Sequence, residues 1–426
     1  MEVLTLFGSF ILLILIKVPI GYAIGMGTMI TLMLFSDIPL IMITQNAVAG
    51  IDSFPLMAIP FFILAGNIMS TGGVAKRLVD LASLVVGKIT GGLAMVTTVV
   101  CMFFAAISGS AMATTSAVGA FMIPEMEKKG YDRGFSASVA AAAGTIGVII
   151  PPSIPFVLYG VVTGTSIGDL FKAGFIPGIS MGIAIMVVCY FISKKHGYGG
   201  TEEKVTWKQL WTTFVDAIWA LLSPGIILGG IYSGIFTPTE AAVVSVVYSA
   251  IVGAFVYKEL TWKKLYIALK DTIIVNGLTT FMVGLSAAFA AYLSMEQIPT
   301  MIANSILSFT ANPILLLLII NVFLLVVGCF IDNIPATIIL APILLPIVVK
   351  LGMSPIQFGI ILTMNLAIGF TTPPYGIDLF VASAIADVSI EKMMSTMKWL
   401  IFALLIVLMM TTYFSPLSMF LVDVLK

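Results

Sequence analysis

Uninterrupted apolar runs of about 16–24 residues recur from one end of this chain to the other, the length a helix needs to cross a hydrocarbon core about 30 Å thick. Of the 426 residues, 60% are hydrophobic and 9% are charged, too few charges to cover a water-soluble domain of this size. The runs predict an all-α polytopic membrane protein. No cleavable signal peptide is expected, because the first run, Leu4 to Ile16, passes directly into the next without a small-residue cleavage site. The longest polar stretch, about Ser193 to Lys208, is too short to fold alone, so any soluble recognition domain must come from another protein.

The formal net charge is zero, which gives nucleic-acid binding no support. Cys101, Cys189 and Cys329 lie far apart within apolar runs, so neither a zinc site nor a disulfide framework is expected. His196, the one histidine, falls in a predicted loop. A histidine proton relay within the membrane, or a serine hydrolase needing a histidine base, is therefore disfavoured, and no enzyme activity is expected.

The basic residues set a topology. Placing Lys17, the 76–88, 128–133, 194–208 and 258–270 groups, and Lys392 with Lys398 in the cytoplasm leaves only Lys172, Lys350 and Lys426 of the 20 basic residues outside, as the positive-inside rule demands. Both termini then lie outside. Crossings are expected at 2–16, 19–36, 52–72, 170–193, 213–233, 239–257, 273–294 and 399–421. Residues 75–88 read as an amphipathic interfacial helix. Residues 89–127 and 312–349 each leave and return on one side, so charge does not distinguish a re-entrant hairpin from two full crossings. Residues 134–165 and 354–387 are crossings broken at Pro151-Pro152 and Pro373-Pro374, since proline lacks an N–H and disfavours helix in the preceding residue.

A shift of 222 residues superposes Pro124 on Pro346, Gly130 on Gly352, Ile146-Gly147 on Ile368-Gly369 and one Pro-Pro on the other. The paired elements start from opposite sides, which makes this an inverted-topology repeat of two five-crossing halves, a transporter architecture. Each half has one hairpin with a polar tip, Ser108-Gly109-Ser110 in the first and Asp332-Asn333 in the second, and one broken helix. Backbone freed at mid-depth is tolerated only where it lines a cavity or site; its carbonyls suit a cation such as Na⁺ and its helix N-termini an anion. The Ser-Gly-Ser tip reads equally as an ordinary surface turn.

The stretches Ile51-Asp52-Ser53-Phe54-Pro55-Leu56, Pro60-Phe61-Phe62-Ile63-Leu64-Ala65-Gly66, Ser108-Gly109-Ser110-Ala111, Gly130-Tyr131-Asp132, Pro151-Pro152-Ser153-Ile154, Phe236-Thr237-Pro238-Thr239-Glu240, Phe330-Ile331-Asp332 and Thr372-Pro373-Pro374 resemble, in order along nearly the whole chain, the large membrane subunit (DctM/SiaM-like) of tripartite ATP-independent periplasmic (TRAP) transporters. The resemblance implies the ion-transporter superfamily fold with an elevator mechanism. Residues 1–72 and 213–297 would be scaffold, 73–88 and 298–311 interfacial arm helices, 194–212 a cytoplasmic linker, and 89–193 and 312–426 the moving transport part with its two hairpins and broken helices. It further implies Na⁺-coupled import of a small organic anion, such as a C4-dicarboxylate or sialic acid, across the bacterial inner membrane. A separate small four-helix membrane subunit and a periplasmic substrate-binding protein would be partners; no organic cofactor is implied. Carried over by residue, one of about two Na⁺ sites falls between Ser108, Gly109 and Ser110 and the break from Gly147 to Pro151. The other falls between Asp332 and Asn333 and the stretch with Gly369, Thr371 and Thr372. Substrate contacts fall to Ser110, Thr114, Thr115, Ser153, Asn333, Thr337 and Tyr375.

Among single residues, Asp332 is the strongest functional candidate, because a carboxylate at a tip within the membrane is costly; its alternative role is a helix cap. Asp378, one turn beyond Pro374, reads either as a residue favouring a helix N-terminus or as a functional carboxylate, and Glu240, behind Pro238, as a helix-start residue on the surface. Thr114, Thr115 and Ser116 either bond substrate or join helices. No basic residue lies beside a tip or a break, so an anion would be held by hydroxyls, amides, helix N-termini and bound Na⁺. The competing readings are an ion or solute channel and a Na⁺-coupled carrier working without a binding protein.

Overall fold

The structure, a computed structural model, describes residues 2–200, 206–302, 312–374 and 376–425. Those residues form helices and connecting turns, with no strand among them, as expected where lipid offers backbone groups no partner outside the segment itself. The first half runs α1 Glu2–Leu15, α2 Ile20–Phe35, α3 Ile41–Ile51, α4 Ala58–Thr71, α5 Val74–Val86, α6 Gly92–Ser108, α7 Ala111–Lys128, α8 Arg133–Gly144, α9 Ile154–Thr163 and α10 Ile167–His196. The second runs α11 Trp207–Tyr232, α12 Pro238–Ile251, α13 Trp262–Met295, α14 Pro313–Gly328, α15 Asn333–Lys350, α16 Pro355–Gly369, α17 Ile377–Ala386, α18 Ile390–Tyr413 and α19 Pro416–Val424. Seven helical segments among the described residues are long and apolar enough to cross a membrane.

Burial divides the molecule into a centre and a rim. Every residue from Gly134 to Gly160 and from Gln357 to Thr371 is buried, so α8 and α16, enclosed on every face over these stretches, are the core. The rim helices α2, α11, α13 and α14 instead expose large apolar side chains such as Leu34, Trp211, Ile273 and Ile314; contiguous apolar surface of this kind marks contact with lipid or another chain.

The elements that the sequence shift pairs also pack reciprocally. Hairpin helix α7 lies on α17, beyond the second break, while hairpin helix α15 lies on α9, beyond the first. In the same way α8 packs on α18, and α16 on α10. Gly130 and Gly352, 222 residues apart, close α7 and α15 with φ of 81° and 83°, a conformation only glycine adopts without cost. Both Pro-Pro bonds are cis.

Helix α5 is the expected amphipathic segment, anchored by one arginine. Arg77 Nη1 donates to Glu259 Oε1 at 2.9 Å, its Nε lies 3.3 Å from Asp216 Oδ2, and its guanidinium sits 3.7 Å from the Tyr257 ring centre. Partial burial pulls the guanidinium pKa down, but the Glu259 and Asp216 carboxylates outweigh this and hold it above its usual value.

Several boundaries differ from expectation. Helix α3 lies outside the expected crossings, because Gln45 and Asn46 interrupt its hydropathy. The expected final crossing 399–421 is two helices, α18 and α19, parted at Phe414-Ser415. His196 is not in a loop: it ends α10 and stacks on Tyr198 at 5.7 Å. The expected linker 194–212 is shorter, since α10 runs through His196 and α11 starts at Trp207 under a Thr206–Gln209 capping box. Helix α13 starts at Trp262, eleven residues before the expected crossing 273–294. Of the expected arm 298–311, residues 303–311 lie outside the described residues.

Candidate functional site

The first hairpin turns where α6 ends. Gly109, at φ 62°, reverses the chain, and Ser110 caps α7 by accepting from Ala113 N–H. Thr114 Oγ1 donates to the Ser110 carbonyl at 2.8 Å, which leaves Ser108 Oγ to donate to Thr114 Oγ1 at 3.0 Å. The break lies directly against this tip. Ile154 N–H donates to the Gly109 carbonyl at 3.3 Å, and a Cβ on Gly109 would sit 2.8 Å from the Pro152 carbonyl oxygen. A Cβ on Gly147 would sit 2.5 Å from the Ser110 carbonyl oxygen and 2.6 Å from Thr114 Oγ1, closer than real Cβ atoms come. Ser153 closes the far side, donating to the Val148 carbonyl at 2.7 Å and accepting from Phe156 N–H.

Ser108, Gly109, Ser110, Thr114 and Gly147 are thus brought into one cradle, with the Pro152 carbonyl against Gly109 and Ser153 on the far side; Pro151 is buried next to them in the chain. The cradle lining is carbonyl and hydroxyl oxygen, a donor set suited to a hard cation. Thr115 does not join it. One residue along a helix is a turn of about 100°, so the Thr115 hydroxyl instead faces Gly144, where a Cβ would clash with it.

The second tip is built differently. Asp332 caps α15 by accepting from Asn333 N–H at 2.6 Å, so the cap role weighed against a functional one is real, and one carboxylate can serve both. Asn333 is buried; its Oδ1 accepts from Thr337 Oγ1 at 2.9 Å while its Nδ2 has no partner. The contact that brings the break to this hairpin runs through glycines: a Cβ on Gly369 would sit 2.4 Å from the Gly328 carbonyl oxygen at the end of α14. Thr371 and Thr372 both donate to the Ile368 carbonyl, at 2.7 and 3.1 Å, and so keep oxygen lone pairs available. Tyr375, the remaining predicted substrate contact, lies outside the described residues.

Two features were missed. Asp378 does lie in the first turn of α17, as expected, but it is also fully buried and neither of its carboxylate oxygens has a hydrogen-bond partner. The available signal was a carboxylate in an apolar stretch with no basic residue in helical reach. A buried polar chain also joins α14, α16 and α18: Asn365 Nδ2 donates to Asn321 Oδ1 at 2.8 Å, Asn321 Nδ2 to Thr412 Oγ1 at 3.3 Å, and Gln357 Nε2 to the Thr411 carbonyl at 3.0 Å. Such bonds join helices where water is absent. Among the described residues no group of three His, Cys, Asp or Glu side chains is placed to hold a metal ion.

The sequence profile described as "Tripartite ATP-independent periplasmic transporter, DctM component" matches residues 7–417. The isethionate TRAP transporter permease protein DctMQ of Oleidesulfovibrio alaskensis is 45% identical over 97% of this chain, which spans 65% of that longer protein. The C4-dicarboxylate TRAP transporter large permease protein DctM of Pseudomonas aeruginosa is 40% identical over 93% of this chain and 93% of its own length. Among solved structures, the Alcanivorax borkumensis YdaH transporter superposes with a TM-score of 0.64 over 87% of this chain and 86% of that one, at 15% identity, a likeness of fold.

Proposed function

We propose, starting from the premise that this chain belongs to the DctM component family of tripartite ATP-independent periplasmic transporters, that it imports a small organic anion as the large permease subunit of a Na⁺-coupled carrier. The observation that carries this reading is the pairing of two polar hairpin tips with two helix breaks. Glycines at both hold backbone against backbone and leave carbonyl and hydroxyl oxygens facing the junction. Na⁺ at Ser108–Ser110 with Gly147 to Pro151, and at Asp332-Asn333 with Gly369 to Thr372, would supply the positive charge these sites otherwise lack.

In this reading the two halves are an inverted repeat, and the reciprocal packing of α7 on α17 and α15 on α9 supports it. Residues 89–193 and 312–425 form the part that moves, and α1–α4 with α11–α13 the scaffold. The relatives' names, an isethionate and a C4-dicarboxylate permease, support a small anionic substrate, held by Ser110, Thr114, Ser153, Asn333 and Thr337. A small permease subunit and a periplasmic binding protein complete the system in the bacterial inner membrane, with both termini periplasmic.

The test is uptake of labelled isethionate or C4-dicarboxylate into proteoliposomes holding this chain, the small subunit and the binding protein, with and without an inward Na⁺ gradient. Accumulation requiring both gradient and binding protein supports the reading. Accumulation without the binding protein makes the chain a self-sufficient carrier, and downhill flux indifferent to Na⁺ makes it a channel.

A further inference from the structure

We infer that Asp378 and Thr115 form a monovalent-cation site of their own where α7 meets α17, separate from the oxygen cradles at the two hairpin tips. The inference rests on the transport reading above. Asp378 lies in the first turn of the ten-residue α17. Its backbone N–H donates to the Phe370 carbonyl at 3.1 Å, so the main chain is satisfied and the side chain alone is left over. Both carboxylate oxygens are unpartnered at zero exposure.

Across the interface the Thr115 hydroxyl, equally buried and unpartnered, approaches this carboxylate without closing a well-formed hydrogen bond. Gly144 of α8 provides the room, because any side chain there would occupy the position of Thr115 Oγ1. A buried carboxylate and a buried hydroxyl, on two helices from opposite halves of the chain, therefore face one another with no further partner for either. The titratable groups within electrostatic reach are Asp332 and the Cys101 thiol of α6, and neither brings positive charge. A carboxylate buried without a counter-charge is strongly destabilising, so a cation must neutralise it. Carboxylate and hydroxyl oxygens suit a hard cation, Na⁺, and a proton meets the same need with fewer ligands. Because α7 belongs to the first hairpin and α17 to the second broken helix, occupancy ties the two halves together.

Thermal unfolding of the purified chain tests this without substrate or partner. Wild type, Asp378→Asn and Thr115→Val are melted across a NaCl titration balanced with choline chloride, at pH 6 and pH 8.5. With Na⁺ as the occupant, Asp378→Asn melts above wild type in choline and responds less steeply to Na⁺. Thr115→Val raises the half-maximal Na⁺ concentration about fivefold, the loss of one oxygen ligand. With a proton as the occupant, the two proteins respond alike to Na⁺, but wild type in choline loses stability as pH rises and the carboxylate ionises, while Asp378→Asn does not. Asp378→Asn matching wild type in both responses overturns the site. If that variant does not fold, Thr115→Val leaving both responses unchanged overturns it. Na⁺-independent uptake by wild type would end the transport reading while leaving the melting result, and so this site, to be judged separately.

Discussion

The two helix breaks share a framework and differ in how they are closed. Around the first, burial is continuous from Gly134 to Gly160, Ser153 caps α9, and Ser108, Ser110 and Thr114 satisfy one another. Around the second, burial ends at Thr371 and Pro373 and Pro374 are exposed. There α17 begins behind Gly376, which has no side chain to cap it, and the hairpin tip carries Asp332 and the unpartnered amide of Asn333. Two similarly placed breaks are thus lined by small hydroxyl residues at the first and by a carboxylate and amide at the second. The first junction is a sealed cradle, and the second keeps unused hydrogen-bonding capacity and an open mouth.

The largest expected effect lies at the charged tip. Asp332→Ala should lower the initial rate of Na⁺-driven uptake by up to about 100-fold, since a charged ligand contributes up to ~3 kcal/mol. Ser108→Ala at the sealed tip should cost about tenfold or less, because Thr114 still holds the Ser110 carbonyl. Equal losses measured in proteoliposomes would mean that the carboxylate has no special part.

Next come the glycines that let backbones touch. Gly369→Ala places a Cβ 2.2 Å from the Gly328 carbonyl carbon, and Gly147→Ala places one 2.5 Å from the Ser110 carbonyl oxygen. Overpacking of this kind costs about 1–3 kcal/mol. Gly369→Ala should be the worse of the two in thermal unfolding, because two helices must separate rather than one carbonyl tilt. Wild-type melting of either variant would show that the junction has slack for a methyl group.

How much of this was readable beforehand follows from what local pattern can carry. The Pro-Pro breaks, the polar tips and the amphipathic α5 depend on residues near one another in sequence, and periodicity or composition displays them. The burial of Asp378, the turning of Thr115 away from Thr114, the Asn365–Asn321–Thr412 chain and the Gln357–Thr411 bond depend on which helices pack together. No single segment encodes that, and Asp378 looks locally like any acidic residue at a helix start. Helix α3 was hidden for the opposite reason: two amides break a pattern that tertiary packing against α13 restores.

Accessibility tests the open and closed mouths directly. With Cys329, the half-buried native thiol, changed to Ser, the remaining Cys101 and Cys189 are buried. A cysteine introduced as Thr372→Cys should then react with a hydrophilic thiol reagent about tenfold or more faster than one introduced as Ser153→Cys, which must wait for local opening. Equal rates would erase the contrast between the breaks.

The smallest effect concerns what the two halves share. Gly130 and Gly352 adopt nearly the same left-handed conformation, and a Cβ on either would meet nothing within 4 Å. Substitution by alanine therefore carries only the backbone penalty, about 1 kcal/mol, with no packing term to separate one site from the other. Gly130→Ala and Gly352→Ala should lower stability by equal amounts and leave the Na⁺ dependence of uptake untouched. A large inequality between them would mean that the asymmetry of the two breaks reaches into the turns that frame them, and that the framework differs along with its filling.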